Sequence, residues 1–223
     1  MQEQYIEGKF VNLKGQRAAY AFDRRKHTRP DIEKIPGHPV WVSIDFNVSP
    51  MAATLWNRLP FGVNYATGQS FFHELQAFDE ICLESSNTYE LCDAIWRKID
   101  REDEVILYPD PAGVARSTKS RGLSDIDILR QGGFPNIKYK PVVSVRDTLN
   151  ALNAKLSQDR IALNSLRCPN AIADLEQCAF RSGTFEIDKT NPKRSHWLDG
   201  LKNMVDLEFP IRGRGGFREQ RIR

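Results

Sequence analysis

Apolar and polar residues alternate from Val40 to Phe46. Val40, Val42, Ile44 and Phe46 fall on one side, and Trp41, Ser43 and Asp45 on the other. A period of two is that of a β-strand. Asn47–Pro50 carries turn residues. Met51–Trp56 is a second apolar run and Phe71–Ile81 a third, with Phe72, Glu74, Gln76 and Phe78 on one face. Three such runs with short links predict an antiparallel meander.

The period then lengthens. Thr88 is placed to cap a helix in which Leu91, Ile95 and Ile99 recur every four residues. Val105–Tyr108 is a short apolar run of buried-strand type. Ser124, with Asp127 three residues later, predicts a capped helix that Gly132 and Gly133 end. Ile137–Tyr139 and Arg160–Leu166 read as strands. Val145, Leu149, Leu152 and Leu156 mark an amphipathic helix between them. Pro169–Phe180 predicts a helix with Ile172, Leu175 and Ala179 inside. After a polar loop, Gly183–Ser195, a last helix aligns Leu198, Leu201 and Val205. Strands followed by alternating helices and strands give an α/β protein. Residues 1–39 are rich in proline and glycine and read as a lead-in, with a short strand near Tyr5–Val11.

Length and charge refine this picture. The 223 residues suit one large domain with extensions. No run approaches the roughly 18 apolar residues of a membrane span, and Met1–Tyr5 lacks the basic and apolar regions of a signal peptide. Of the net charge of +3, the segment 212–223 supplies more than all: five arginines against Glu219 leave the first 211 residues one unit negative. A Gly-Arg tail suits a phosphate surface or an acidic partner, or is a solvated end. Cys82, Cys92, Cys168 and Cys178 form no C-x-x-C pair and are expected to be buried free thiols.

Three carboxylates stand at positions where such folds gather ligands. Asp45 closes the first strand. Asp110 follows the fourth directly, between Pro109 and Pro111, with Gly113 permitting a close approach. Asp199 shares a helical face with His196 three residues earlier. Any one alone reads as a turn residue or a helix-terminal acid. Together they fit a two-metal phosphodiester hydrolase, because Mg²⁺ favours one or two carboxylates plus waters and substrate phosphates. Arg116, Lys119 and Arg121 follow Asp110, and Lys189, Lys193 and Arg194 precede His196. An acidic cluster repels phosphate, so these six are candidates to hold a DNA backbone. Glu80 ends the third strand and is read as a surface acid, although that strand lies near the first.

The ordered segments Trp41–Pro50, Tyr108–Gly113 and His196–Leu201, supported by Phe78–Ile81 and Cys168–Ile172, resemble the nuclease domain of tailed-bacteriophage large terminases. The resemblance runs from about Val40 to Pro210. It implies an RNase H-like fold: a mixed sheet, its first three strands antiparallel and the later ones parallel, flanked by helices. It also implies an endonuclease that cuts double-stranded viral DNA during packaging with Mg²⁺ or Mn²⁺, two ions being held by Asp45, Asp110 and Asp199. His196 matches a histidine found in some members. The implied partners are DNA, the portal protein and the small terminase subunit, in the cytoplasm of the host cell.

Two departures stand out. There is no G-x-x-x-x-G-K-[ST] loop, so the packaging ATPase domain is expected to be missing and residues 40–211 to be the nuclease domain alone. Asn47-Val48 also replaces the glycine common after the first acid. Rival readings are weaker. An actin-like ATPase needs glycine-rich phosphate turns, and a haloacid-dehalogenase-type phosphatase needs Asp-x-Asp where Asn47 stands. A non-catalytic DNA-binding or assembly module does not account for three acids near phosphate. Another RNase H-like nuclease, a resolvase or transposase, is disfavoured by the His196–Asp199 pair.

Overall fold

The computed structural model describes residues 17–60, 62–63, 70–71, 73–114, 123–141 and 144–211. The expected strand at Tyr5–Val11, the basic residues Arg116, Lys119 and Arg121, and the Gly-Arg tail lie outside them.

In chain order the elements are α1 (Arg24–His27), β1 (Thr28–Arg29), β2 (Val40–Asp45), β3 (Met51–Arg58), β4 (Gly62–Val63), β5 (Ser70–Phe71) and β6 (Leu75–Leu83). Then follow α2 (Thr88–Trp96), β7 (Val105–Pro109), a 3₁₀ turn (Pro111–Val114), α3 (Asp125–Gln131), α4 (Val145–Ser157), β8 (Ile161–Asn164), α5 (Pro169–Gln177) and α6 (His196–Glu208). Six strands form one mixed sheet in the order β1-β8-β6-β3-β2-β7, with β4 and β5 a separate ribbon. The pairs β2–β3 and β3–β6 are antiparallel; β2–β7, β6–β8 and β1–β8 are parallel. This is an α/β, RNase H-like architecture.

Helices cover both faces, which is why β2 is buried along its length yet alternates. Val40, Val42 and Ile44 pack with Leu91 and Ile95 of α2 and Leu129 of α3. Trp41 packs on the other face with Leu152 of α4, Ile172 of α5 and Leu201 of α6. The period of two therefore sends Asp45 to the α6 side. Tyr108 of β7 lies on that side as well, and Asp110 has its parity.

The chain ahead of Val40 also packs on the sheet. Ala18, Ala19 and Phe22 are core residues, and β1 pairs with β8. Other expectations shift locally. Asn87, rather than Thr88, caps α2, its side chain accepting from the amides of Tyr89 and Glu90. Ile137 forms a single bridge to Leu107 rather than a strand. Three cysteines are buried, but Cys82 is exposed.

The expected run Phe71–Ile81 is divided. Phe71 belongs to the ribbon, and β6 starts at Leu75. Within β6 the register slips between Leu55 and Trp56 of β3, where Phe78 is the extra residue. A bulge changes the phase of the alternation. It turns Glu80 to the α5 face, where its carboxylate accepts from the backbone amides of Asn170 (2.9 Å) and Ala171 (2.9 Å) and from the Asn170 side chain (2.7 Å). Glu80 is thus the remote cap of α5, whose own N-cap residue, Cys168, makes no side-chain cap. It is not a member of the Asp45 site.

The same device sets α6. Its N-cap, Ser195, sits at φ 78° with no side-chain cap. Fully buried Asp174 on α5 instead accepts from the amides of Trp197 (3.0 Å) and Leu198 (3.4 Å). Gly200 then lets α6 lie against β2: a Cβ there would stand 3.3 Å from the Ile44 nitrogen and 3.4 Å from the Ser43 carbonyl carbon. These contacts fix the height and depth of the helix that carries His196 and Asp199.

This seating can be tested from both sides. Gly200→Val is expected to cost on the order of 1–3 kcal/mol in urea denaturation, as overpacking does; unchanged stability would mean that α6 is not pressed on β2. Burial pushes the Asp174 carboxyl up from its ordinary 3.8 to about 6, against the pull of its backbone donors and Arg194. A carboxyl that holds its proton more tightly when folded contributes stability that is full below its ordinary pKa and lost as pH rises through the folded one. Relative to wild type, Asp174→Asn should therefore gain about 2–3 kcal/mol between pH 4 and pH 6. A flat difference across that window would contradict the assignment.

Candidate functional site

Asp45 ends β2, and Asp110 follows its parallel neighbour β7. Ser43 lies opposite Tyr108 and Ile44 opposite Pro109, and the Asp110 amide extends the ladder by donating to the Ile44 carbonyl (3.0 Å). The two acids therefore leave adjacent strand ends on one face. The backbone after Asp110 turns at once, the Ala112 amide donating to its carboxylate (2.7 Å). The Phe46 ring closes over Gly113, where a Cβ would come within 2.2 Å of it. The absence of a side chain at Gly113 is used by the Phe46 ring.

Helix α6 brings the third acid. His196, Asp199 and Asn203 recur at i, i+3 and i+7, and all three face the strand ends. His196 Nδ1 is 2.7 Å from Asp45 Oδ2, and its Nε2 is 2.7 Å from the Pro192 carbonyl. The Asn203 amide nitrogen reaches Asp110 Oδ2 at 3.4 Å. Asp199 receives two ammonium groups: Lys202 Nζ on Oδ1 at 2.5 Å and Lys189 Nζ on Oδ2 at 3.0 Å.

The electrostatics show that the three carboxylates see one another. Burial raises the Asp45 pKa, the Asp199 and Asp110 charges add to the rise, and His196 opposes it. The hydrogen bond to Asp45 raises the His196 pKa despite burial, and the Pro192 carbonyl helps; acceptors on both ring nitrogens favour the imidazolium. Burial alone would raise Asp199, but Lys202 and then Lys189 bring it below its ordinary value. Among the described residues, no three His, Cys, Asp or Glu side chains close around a point as a ligand set. The acids lie on one face, and two lysines are paired with Asp199.

The six basic candidates separate. Lys189 lies on Asp199. Lys193 is exposed. Arg194 turns inward, its guanidinium 3.8 Å from Asp174. Arg116, Lys119 and Arg121 are outside the described residues. Sequence reasoning misses Lys202, Asn203, Asp174 and the Pro192 carbonyl. Lys202 and Asn203 do carry a signal: they are polar residues inside the turns that hold Leu198, Leu201 and Val205. Both are buried.

Comparison with known proteins sets this geometry in context. No family model matches the chain, and no curated protein matches it. Solved structures do. The large terminase of a thermophilic bacteriophage superposes with a TM-score of 0.64 at 20% identity, over 91% of this chain and 47% of that one. The P22 large terminase nuclease domain gives 0.58 at 14% identity, over 85% and 91%. The nuclease domain of the bacteriophage SPP1 large terminase, with bound Mn, gives 0.53 at 14% identity, over 81% and 95%. The chain spans about half the length of the thermophilic phage's protein and most of the isolated nuclease domains. Its fold is that of the nuclease domain of bacteriophage large terminases.

Proposed function

We propose that this chain is the nuclease domain of a terminase large subunit: a metal-dependent endonuclease that cuts double-stranded viral DNA during genome packaging. The observation that carries the reading is the convergence of Asp45, Asp110 and Asp199, from two adjacent parallel strand ends and one helix, on a single partly open face. Residues 40–211 form the nuclease domain, with residues 17–39 packed on it and 212–223 a basic tail. DNA is the substrate. The portal protein, the small terminase subunit and the ATPase domain are the other partners, in the host cytoplasm. Among the described residues no helix is long and apolar enough to cross a membrane.

The donor set fits Mg²⁺ or Mn²⁺. It is all carboxylate and amide oxygen, as hard cations prefer. Burial lifts the Asp45 pKa, and the charges of Asp199 and Asp110 add to the rise. The buried Asn203 Oδ1, beside Asp110, has no hydrogen-bond partner, which suits a group bearing water. Asp45, Asp110 and Asp199 would hold the ions, two in this proposal. Bound divalent ions supply an activated water and neutralise charge gathering on the phosphate.

The chain's own residues do the rest. His196 fixes the Asp45 carboxylate through Nδ1 and is itself oriented by the Pro192 carbonyl. Asn203 orients Asp110. Lys202 neutralises one edge of Asp199. Lys193, with Arg116, Lys119 and Arg121, holds the DNA backbone, while Lys189 is seated on Asp199. These contacts go to phosphate, so cutting is not tied to base sequence.

A plasmid-nicking assay tests the reading. Wild type should nick with Mn²⁺ and stop with chelator; chelator-resistant cutting would contradict it. Asp45→Asn, Asp110→Asn and Asp199→Asn should each remove cleavage and keep a native circular-dichroism spectrum, since the amide keeps shape but loses the anion. A wild-type rate in any one removes that residue from the site. His196→Ala should slow nicking by ~10²–10⁴-fold, the range of positioned acid–base groups; an unchanged rate would leave it a packing role.

A further inference from the structure

Lys189 is the one feature of the site that the nuclease reading leaves unexplained. Its side chain is 66% exposed, yet its ammonium is committed to Asp199, a carboxylate only 9% exposed. A solvent-facing lysine gains little from a lone ion pair and gives up rotamer freedom to make it. Its placement is built in by the backbone. Ile187 is buried and bridges Phe180, and the Asp188 amide donates to the Ala179 carbonyl (2.8 Å). Asp188 and Asn191 then close side-chain turns onto the amides of Thr190 (2.9 Å) and Lys193 (3.0 Å). On the far side, the Pro192 carbonyl is held by His196. The strap is tied before and after Lys189, and it points that one side chain into the acids.

The second lysine on Asp199 is different in kind. Lys202 is on the same helix, at i+3, and its side chain is 6% exposed. It is buried in the helix packing. Lys189 also feels the charges of Asp45 and Asp110, not of Asp199 alone. Its ammonium reaches Asp199 Oδ2 from the exposed strap, while buried Lys202 takes Oδ1 from within α6.

We propose that Lys189 is a resident counter-cation: it occupies the metal position in the metal-free centre, is displaced when a divalent ion enters, and then swings out to hold the DNA backbone. The proposal rests on the metal-dependent nuclease reading and deepens it. The physics is competition. Three carboxylates at close range repel one another, and one ammonium relieves that at low cost. A divalent ion relieves it better and repels the ammonium. The displaced side chain has a flexible four-carbon stem and an anchored backbone, so it can reach a phosphate lying over the acids. The centre is then kept stable without metal, and metal entry adds a phosphate contact.

One substitution should move two affinities in opposite directions. In full-length Lys189→Gln, Mn²⁺ measured by titration calorimetry without DNA should bind roughly three- to tenfold tighter, because no ammonium competes. Binding of a labelled DNA duplex, measured by anisotropy in Ca²⁺ to prevent cutting, should weaken by a similar roughly three- to tenfold factor, with a salt slope shallower by about 0.9 for the lost phosphate contact. Lys189→Arg, which keeps the charge, should stay near wild type in both. An unchanged Mn²⁺ affinity in Lys189→Gln would overturn the proposal, whether or not DNA binding falls. So would tighter Mn²⁺ with unchanged DNA binding. Failure of wild type to bind Mn²⁺ at all would overturn the metal-nuclease reading along with it.

Discussion

The backbone amides of Trp197 and Leu198 open helix α6 into protein rather than water, and the buried carboxylate of Asp174 takes them. An unpaired buried amide costs about 1–3 kcal/mol, so the helix cannot slide along its axis without losing this bond. Everything chemical depends on that height. At that height His196, just before the capped amides, meets Asp45, Asp199 follows within the first turn, and Asn203 one turn later meets Asp110. Asp174 is itself placed by α5, and α5 by Glu80 reaching across from β6. Buried Asp174 and half-buried Glu80 thus transmit the position of the sheet to the helix that completes the site. The absence of a side chain at Gly200 lets the helix come close enough.

A second theme is the management of negative charge. Asp45 is answered by His196 and Asp199 by two lysines, while Asp110 is held by amides. Each partner differs in how firmly it is bound to its acid. Lys202 is enclosed and His196 is fastened at both nitrogens, whereas Lys189 reaches in from the surface. Such graded partners permit a cluster of acids to exist in a folded protein and still be open to a stronger cation.

Much of the architecture is legible in the sequence because it is carried by period. The alternation over Val40–Phe46 decides which side Asp45 faces, and the Ser124–Asp127 capping box and the buried Leu149, Leu152 and Leu156 of α4 appear as expected, with Val145 left exposed at its start. The ordered segments around the three acids carry the resemblance to terminase nuclease domains, and that resemblance implies the RNase H-like fold. What stays hidden has no periodic signature. A bulge at Phe78 is one inserted residue in an otherwise regular strand, and it turns Glu80 onto the face of α5 and α6, where the N-terminus of α5 takes up its carboxylate. Asp174 looks like an ordinary helix acid beside Leu175, because a cap supplied by another element leaves no local mark. From charge and proximity, Lys189 reads as a phosphate ligand. Only the turns on either side of it show that it faces the acids first.

The central claim is that Asp45, Asp110 and Asp199 form one metal centre. It is tested most directly by anomalous diffraction from crystals soaked in Mn²⁺. The account predicts manganese peaks bounded by oxygens of these three carboxylates, with His196 still on Asp45 and Lys189 withdrawn from Asp199. Manganese bound elsewhere in well-soaked crystals, with Lys189 still seated among the three acids, would contradict it.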